Sequence, residues 1–559
     1  MEKDRGHSRR RFLKTSLVFG AAGVTIPSIA PAKPVRPSAK PAGAGSEPIA
    51  ETAYGKVRGL TSPEGIKMFR GVPYGASTAG KNRFMPPVRP APWSGVRDAT
   101  LWGSKAPQVP GGGPEFTMIL DRVNGMLGAP GEDCLVVNIW TPALKDGRKR
   151  PVMVRIHGGG YTSNTGNNRI YAGHNTARRG DVVYITVNHR LGCLGFLNLA
   201  DLAGSEYALS GNVGMLDLVA ALEWVRDNIE NFGGDPQNVL IFGESGGGMK
   251  TSTLLGMSAA KGLFHRAGIE SGASLRTGSR EQATKLAELF LKRLGLDKSR
   301  ISELHKLPVE MLLEGQQMAS STRLFPKDPP PPGGFGPILD PKMIPQHMFD
   351  PSATPLAADI PIIVGTTRDE ATLTLGGDDQ FYRLDEAGLR ARVQRQVGAE
   401  ADTVVSLYRR LFPSASDGDL LVRIQTDSGF WTSAIALAER QTQQARAPVY
   451  MFRFDWKTPS FAGRFGAVHG SEIAFVLDNT RHMPVLTHDL PQAHALAARM
   501  NAAWIAFART GKPRVSELPD WPAYTPTTRA TMLFDDMCRV ENDPDGEARR
   551  YWAQARART

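Results

Sequence analysis

The chain has 559 residues, 41% hydrophobic and 22% charged, with 67 Lys and Arg against 55 Asp and Glu for a net charge of +12. That length is ample for a sizeable core, and the composition is that of a folded soluble protein, which excludes disordered and collagen-like chains. The basic surplus is spread widely and comes without zinc-finger spacing, a single-strand-binding signature or a basic–aromatic repeat, so no nucleic-acid partner is expected.

Residues 1–32 read as an export leader. Ser8-Arg9-Arg10-Arg11-Phe12-Leu13-Lys14 precedes an apolar, glycine-containing stretch from Leu17 to Ala30 and resembles a twin-arginine signal; Ala30-Pro31-Ala32 offers small residues for cleavage after Ala32. The expected partner is the twin-arginine export machinery, and the expected destination is the periplasm or the outside of the cell. The apolar stretch is too short for a permanent membrane span, and none is expected after processing. Without the leader, 61 basic and 53 acidic residues leave a net +8. Residues 33–48, with prolines among Ala, Gly and Lys, read as a flexible linker, and 49–559 as one globular domain.

Within that domain, 52–59 and 67–72 predict a hairpin or meander, and 84–92 and 109–114 predict loops. Val152–Ile156 and Val182–Val187 are apolar enough for buried strands. Leu218, Leu222, Val225 and Ile229 carry a helical period over 214–229, which Asn231-Phe232-Gly233-Gly234-Asp235-Pro236 ends. Strands follow at 239–242, 266–270, 361–366 and 448–455, helices within 281–322, a surface loop at 327–334, and an amphipathic helix at 491–510 stopped by Gly511. Strands alternating with helices predict an α/β fold with a large, mostly parallel mixed central sheet covered by helices. Cys134, Cys193 and Cys538 allow at most one internal disulfide, and the first two sit in apolar neighbourhoods that predict buried, unreactive thiols. No cysteine–histidine cluster points to a metal, and no cofactor is expected.

Gly243-Glu244-Ser245-Gly246-Gly247 lies between the 239–242 strand and a segment of small residues. A sharp strand-to-helix turn needs small neighbours where the backbone crosses itself, and it lifts the serine Oγ above the sheet, so Ser245 is the candidate nucleophile. His157-Gly158-Gly159-Gly160 directly follows the 152–156 strand. Acyl transfer turns a carbonyl oxygen into an oxyanion that needs fixed N–H donors, and glycines let backbone donors approach; Gly159, Gly160 and Gly246 are the candidate donors. Among 11 histidines, His469 leads as base because it follows the 448–455 strand, ahead of His482, His488 and His494. Glu370 and Asp369 both follow the 361–366 strand as candidates for the acid that orients the base; the order Ser, acid, His suits an α/β-hydrolase. Phe325, Phe335, Phe430 and Trp431 are expected in the core rather than at a recognition surface.

From about residue 49 to 537 the chain resembles the type-B carboxylesterases, the family that includes cholinesterases. The likeness is carried by Phe69-Arg70-Gly71-Val72-Pro73-Tyr74, Glu132-Asp133-Cys134-Leu135, Val187-Asn188-His189-Arg190-Leu191-Gly192, Asn231-Phe232-Gly233-Gly234-Asp235-Pro236 and the serine elbow. It implies an α/β-hydrolase catalytic domain over 49–559, a Ser245–Glu370–His469 triad, an oxyanion hole of Gly159, Gly160 and Gly246, and Ser271 in support of the triad acid or as a hydrogen-bonding residue at the sheet end. The implied activity is hydrolysis of small-molecule or oligomeric carboxylic esters through an acyl-enzyme, with amide or carbamate hydrolysis and a non-catalytic interaction role as alternatives. Three departures stand out. Gly246 replaces the usual alanine and is expected to loosen the donor loop. His189 replaces a common tyrosine and is expected to pack or hydrogen-bond. Ala106-Pro107-Gln108 replaces the stretch that holds the disulfide partner of Cys134.

Overall fold

Apolar runs rich in Val and Ile form strands here because neighbours cover both faces of the sheet, which rewards β-branched side chains that are stiff and buried. The structure, a computed structural model, describes residues 47–109, 125–321, 331 and 333–558. The expected leader, nearly all of the linker, most of the 109–114 loop, Phe325 and most of the 327–334 loop lie outside the described residues.

Strands β1 (Ile49–Thr52), β2 (Gly55–Arg58) and β5 (Val96–Asp98) form a small sheet, with β1 and β2 as an antiparallel hairpin. The second part of the expected meander goes elsewhere. β3 (Leu60–Thr61) and β4 (Lys67–Pro73) form one edge of an eleven-stranded sheet. From that edge the order continues through β6 (Val136–Thr141), β8 (Val183–Val187), β7 (Arg150–Ile156), β9 (Gly234–Glu244), β10 (Arg266–Glu270), β11 (Ile362–Thr367), β12 (Val449–Phe454), β13 (Ala530–Phe534) and β14 (Arg539–Asn542). β8 to β13 run parallel, and antiparallel strands close both edges.

This order matters for function. After β7 the chain builds β8 on one side, then returns past β7 to build β9 on the other. Between β7 and β9 the winding reverses, and this point, beyond the carboxyl ends of the strands, is where such sheets usually hold their ligand site. His157–Gly160 and Ser245 leave the sheet from those two strand ends.

The helix Val213–Asn228 packs on the sheet through Leu218, Leu222 and Val225 and passes through a short 3₁₀ turn at Ile229–Phe232. Ser205–Phe232 is long and apolar enough to cross a membrane, but most of it is buried inside the fold. The helix Pro491–Thr510 buries Leu496, Met500, Trp504 and Phe507 and ends where the Gly511 N–H donates to the Phe507 carbonyl at 2.8 Å. Helices Arg280–Arg293 and Val309–Ser320 occupy the expected 281–322 region. Residues 386–442 hold further helices. Two of them, Asp417–Thr426 and Thr432–Thr442, are joined by a π-helical turn at Asp427–Trp431.

One buried polar junction ties these layers together. The Arg155 guanidinium on β7 meets Glu270 Oε2 on β10 at 2.7 Å, with both side chains fully buried, while the Trp504 indole N–H donates to Glu270 Oε1 at 3.0 Å. Removing one member of such a pair leaves an uncompensated buried charge, at about 3–5 kcal/mol. Arg155→Met is therefore expected to lower stability by about that amount in urea unfolding, and Arg155→Met with Glu270→Gln to recover much of the loss. Equal stability of Arg155→Met and the parent chain would show that the pair contributes nothing.

Candidate active site

Ser245 sits between the end of β9 and the helix Gly246–Leu255 with φ 54° and ψ −123°, a conformation a non-glycine residue adopts only when its surroundings impose it. Its N–H donates to the Glu270 carbonyl at 2.8 Å, and its carbonyl accepts from the Met249 N–H at 2.9 Å. Steric contact explains the small neighbours. A Cβ on Gly247 would lie 2.2 Å from the Ile156 carbonyl oxygen, and one on Gly243 would lie 2.5 Å from the Gly247 carbonyl carbon. At Gly246 a Cβ would meet the Gly160 oxygen at 2.2 Å and the Gly160 nitrogen at 2.4 Å. The glycine that replaces alanine at 246 lets the loop lie directly on the helix N-terminus.

The loop itself is held carbonyl by carbonyl. The Gly158 carbonyl accepts from His157 Nδ1 at 2.9 Å, and the Gly159 carbonyl accepts from the N–H groups of Thr162 and Ser163 at 3.3 and 3.1 Å. In a planar trans peptide the N–H points opposite the carbonyl. Holding the carbonyls of 158 and 159 therefore aims the N–H groups of Gly159 and Gly160 the other way. Gly159 and Gly160 have φ of 80° and 60°, in the left-handed region that glycine tolerates. His157 stacks on His189, with ring centroids 4.9 Å apart, and His189 Nδ1 donates to the Arg190 carbonyl at 2.8 Å. Burial, and then the nearby Lys250, hold both rings well below the ordinary histidine pKa. His189 thus packs and hydrogen-bonds.

Glu370 is buried just beyond β11. Its Oε1 accepts from the Thr367 N–H at 2.8 Å, and its Oε2 accepts a hydrogen bond from His469 Nδ1. Its neighbour Asp369 points elsewhere. It pairs with Arg368 at 2.6 Å and accepts from the Ala467 N–H at 2.8 Å, holding the loop that carries His469. The other late histidines are engaged away from this centre. His494 binds Thr480 and Asp489, His488 meets Ser460 Oγ, and His482 packs against His174.

The ring nitrogen opposite Glu370 does not hydrogen-bond Ser245. His469 Nε2 lies 3.1 Å from Oε1 of Glu244, the residue before the nucleophile, and Ser245 Oγ has no hydrogen-bond partner among the described residues. Ser271 takes the second of its two expected roles. Its N–H donates to the Gly365 carbonyl at 2.8 Å, a sheet-end bond, and its Oγ donates to Glu472 Oε1 at 3.4 Å rather than to Glu370. All three cysteines are free, Cys134 and Cys193 buried, with burial pushing the Cys193 thiol up to about 12.

A model of the carboxylesterase family matches residues 46–552. The chain belongs to that family. It is 39% identical to the para-nitrobenzyl esterase of Bacillus subtilis (strain 168) over 90% of this chain and 97% of the relative, and 35% identical to the phenmedipham hydrolase of Pseudarthrobacter oxydans over 88% and 96%. A crystal structure of a Geobacillus stearothermophilus carboxylesterase superimposes with a TM-score of 0.78 at 37% identity, covering 90% of this chain and 99% of that one. The type-B resemblance, the α/β-hydrolase fold and the assignment as a carboxylic-ester hydrolase therefore hold.

This carboxylesterase surrounds its histidine with buried carboxylates. Burial raises Glu244 to about 7 and holds Glu472 well above the usual carboxylate range. For His469 burial favours the neutral ring, but Glu244, Glu370 and Glu472 outweigh it and raise the pKa to about 10. The sequence reading missed Glu244 and Glu472 as members of the site. The available signal was an acidic residue at the inner end of an apolar strand and another three positions after His469, both where burial makes a lone charge costly. Phe430 was expected in the core. The π-helical turn instead leaves it 36% exposed with its ring 5.3 Å from that of His469, while Trp431 and Phe335 are buried. A cavity of about 250 Å³ is lined by Tyr161 and Met249 together with residues from 274–283 and 333–338, Ser274 and Phe335 among them.

Glu244 favours the protonated imidazole, so its removal lowers the His469 pKa. In Glu244→Gln the acid limb of kcat/KM is expected to move down by roughly one to three pH units, because the base then stays unprotonated to lower pH. A limb that stays in place or moves upward in a pH–rate profile would show that the Glu244 charge does not act on the base.

Proposed function

We propose that this carboxylesterase works through an acyl-enzyme on Ser245, with His469 as base and acid, Glu370 as its orienting carboxylate, and the N–H groups of Gly159, Gly160 and Gly246 as the oxyanion hole. The observation that carries this reading is the hydrogen bond from His469 Nδ1 to Glu370 beside a serine elbow whose neighbouring glycine N–H groups are aimed by held carbonyls. Attack requires the neutral ring, with any proton on Nε2 released to solvent, and a turn of Nε2 from Glu244 to Ser245 Oγ. Nε2 then accepts the serine proton as Oγ bonds to the ester carbonyl carbon, and the carbonyl oxygen takes the negative charge against the three donors. Collapse of that adduct breaks the bond to the alcohol oxygen, which receives the proton from His469. Water, deprotonated in turn by His469, releases the acid. One part of the substrate would occupy the cavity beside Tyr161 and Met249, and another would pass the Phe430 ring. Ser245→Ala is expected to lower kcat on a chromogenic aryl ester by roughly 10⁶-fold and to abolish the acyl adduct seen by intact mass in a quenched reaction. Turnover or an adduct that survives the substitution would remove Ser245 from the mechanism.

We further propose export by the twin-arginine route, which places the mature enzyme in the periplasm or outside the cell. The reading is supported by Ser8-Arg9-Arg10-Arg11-Phe12-Leu13-Lys14 and the apolar stretch after it, and is compatible with three free cysteines, since export in the folded state needs no oxidation. In a host with that pathway, replacing Arg9 and Arg10 by lysine is expected to keep esterase activity in the cytoplasmic fraction. Unchanged export of that variant would refute the route.

A further inference from the structure

Lys250 lies five residues after Ser245 on the helix Gly246–Leu255, and its side chain is fully buried. Among the described residues it forms no ion pair. Its one hydrogen bond runs from Nζ to the carbonyl of His157 at 3.0 Å, and Nζ lies 5.9 Å from the Tyr161 ring centroid. Burial pulls its pKa down to about 7, although the charge of Glu244 acts in the opposite direction. An unpaired buried amine is expensive, whereas a methionine would fill a similar volume without a polar group. The nitrogen therefore calls for a role that packing does not supply.

The carbonyl it holds supplies that role. His157 precedes the donor glycines with only Gly158 between, and the carbonyls of 157, 158 and 159 each receive a separate donor: Lys250 Nζ, His157 Nδ1, and the N–H groups of Thr162 and Ser163. The bond from Lys250 fixes the first peptide plane of the turn. The His157 ring, carried on that backbone, fixes the second plane, whose N–H belongs to Gly159. Gly160 then follows, packed so closely on Gly246 that no Cβ would fit between them. The donor loop is thus attached to the nucleophile's own helix at two points, by contact at Gly246 and by a hydrogen bond at Lys250.

We propose that Lys250 is a positioning residue of the oxyanion hole, which holds the His157 carbonyl so that the N–H groups of Gly159 and Gly160 meet the oxyanion formed on the Ser245 adduct. The proposal rests on the acyl-enzyme reading above. It places the effect of Lys250 in the transition state rather than in substrate binding.

The test uses the full chain with Lys250→Met, which keeps volume and removes the donor, and Lys250→Arg, which keeps a donor. Active sites are titrated with a phosphonate, so that only folded, reactive enzyme is counted. Lys250→Met is expected to lower kcat per titrated site by roughly 10- to 100-fold with KM within about threefold of the parent, because a small misplacement of fixed groups costs rate more than affinity. Affinity for a boronic acid that forms a tetrahedral adduct on Ser245 is expected to fall by a similar factor, and Lys250→Arg to recover a large part of both losses. An unchanged kcat in Lys250→Met, a change in KM alone, or an arginine variant no better than methionine would overturn the proposal. Should Lys250→Met not fold, Lys250→Gln, whose shorter side chain leaves the His157 carbonyl without its donor, goes through the same measurements with the same criteria. A Ser245→Ala control that still turns over would overturn the acyl-enzyme reading as well, whereas an inactive control beside an unaffected Lys250 variant removes only the role of Lys250.

Discussion

The backbone of Gly246 and Gly247 runs so close to the end of β7 that added Cβ atoms would lie 2.2 Å from the Gly160 and Ile156 carbonyl oxygens. Most of the active site depends on this near-contact of two strand exits. It brings Ser245 and the glycine N–H groups, the proposed nucleophile and oxyanion donors, together from adjacent strands, and does so with backbone alone. The strain at Ser245 belongs to the same constraint. Its φ of 54° is held by bonds to the Glu270 carbonyl and the Met249 N–H, and Glu270 is anchored beneath by Arg155 and Trp504. A strained residue of this kind persists only where the surrounding core over-determines it, and the fully buried junction between β7, β10 and the helix Pro491–Thr510 does so here.

Electrostatics adds a second layer to the same geometry. His469 stands between two carboxylates, Glu370 on Nδ1 and Glu244 near Nε2, with Glu472 behind, in surroundings where burial disfavours charge. Glu370 holds the ring through Nδ1, and Glu244 rather than Ser245 lies beside the other ring nitrogen. Together the three carboxylates favour the protonated ring, against the burial that favours the neutral one.

Adjacent residues divide their tasks in ways that local sequence does not show. Asp369 and Glu370 follow the same strand and differ by one methylene, yet one clasps the His469 loop through the Ala467 N–H and the other faces the imidazole. Ser271 reaches Glu472 rather than the triad acid, because the turn after β10 aims its Oγ toward the loop beyond His469. Phe430 escapes the core because one extra residue per turn at Asp427–Trp431 rotates it outward, while Trp431 stays inside.

The sequence by itself determined the central strands, the long helices at 213–228 and 491–510, the serine elbow and the glycine loop. Each rests on a short-range rule: continuous apolar runs, helical periodicity, or glycine where backbones cross. Family membership, too, was legible in a string of motifs in fixed order. The resemblance also singled out Glu370 over Asp369, which local sequence did not. Only the tertiary structure decided that Glu244 and Glu472 join the charged centre, and that Lys250 reaches back to the His157 carbonyl. These outcomes depend on the distance and direction between residues far apart in the chain, set by the order of strands in the sheet and by burial, neither of which is encoded in any local window.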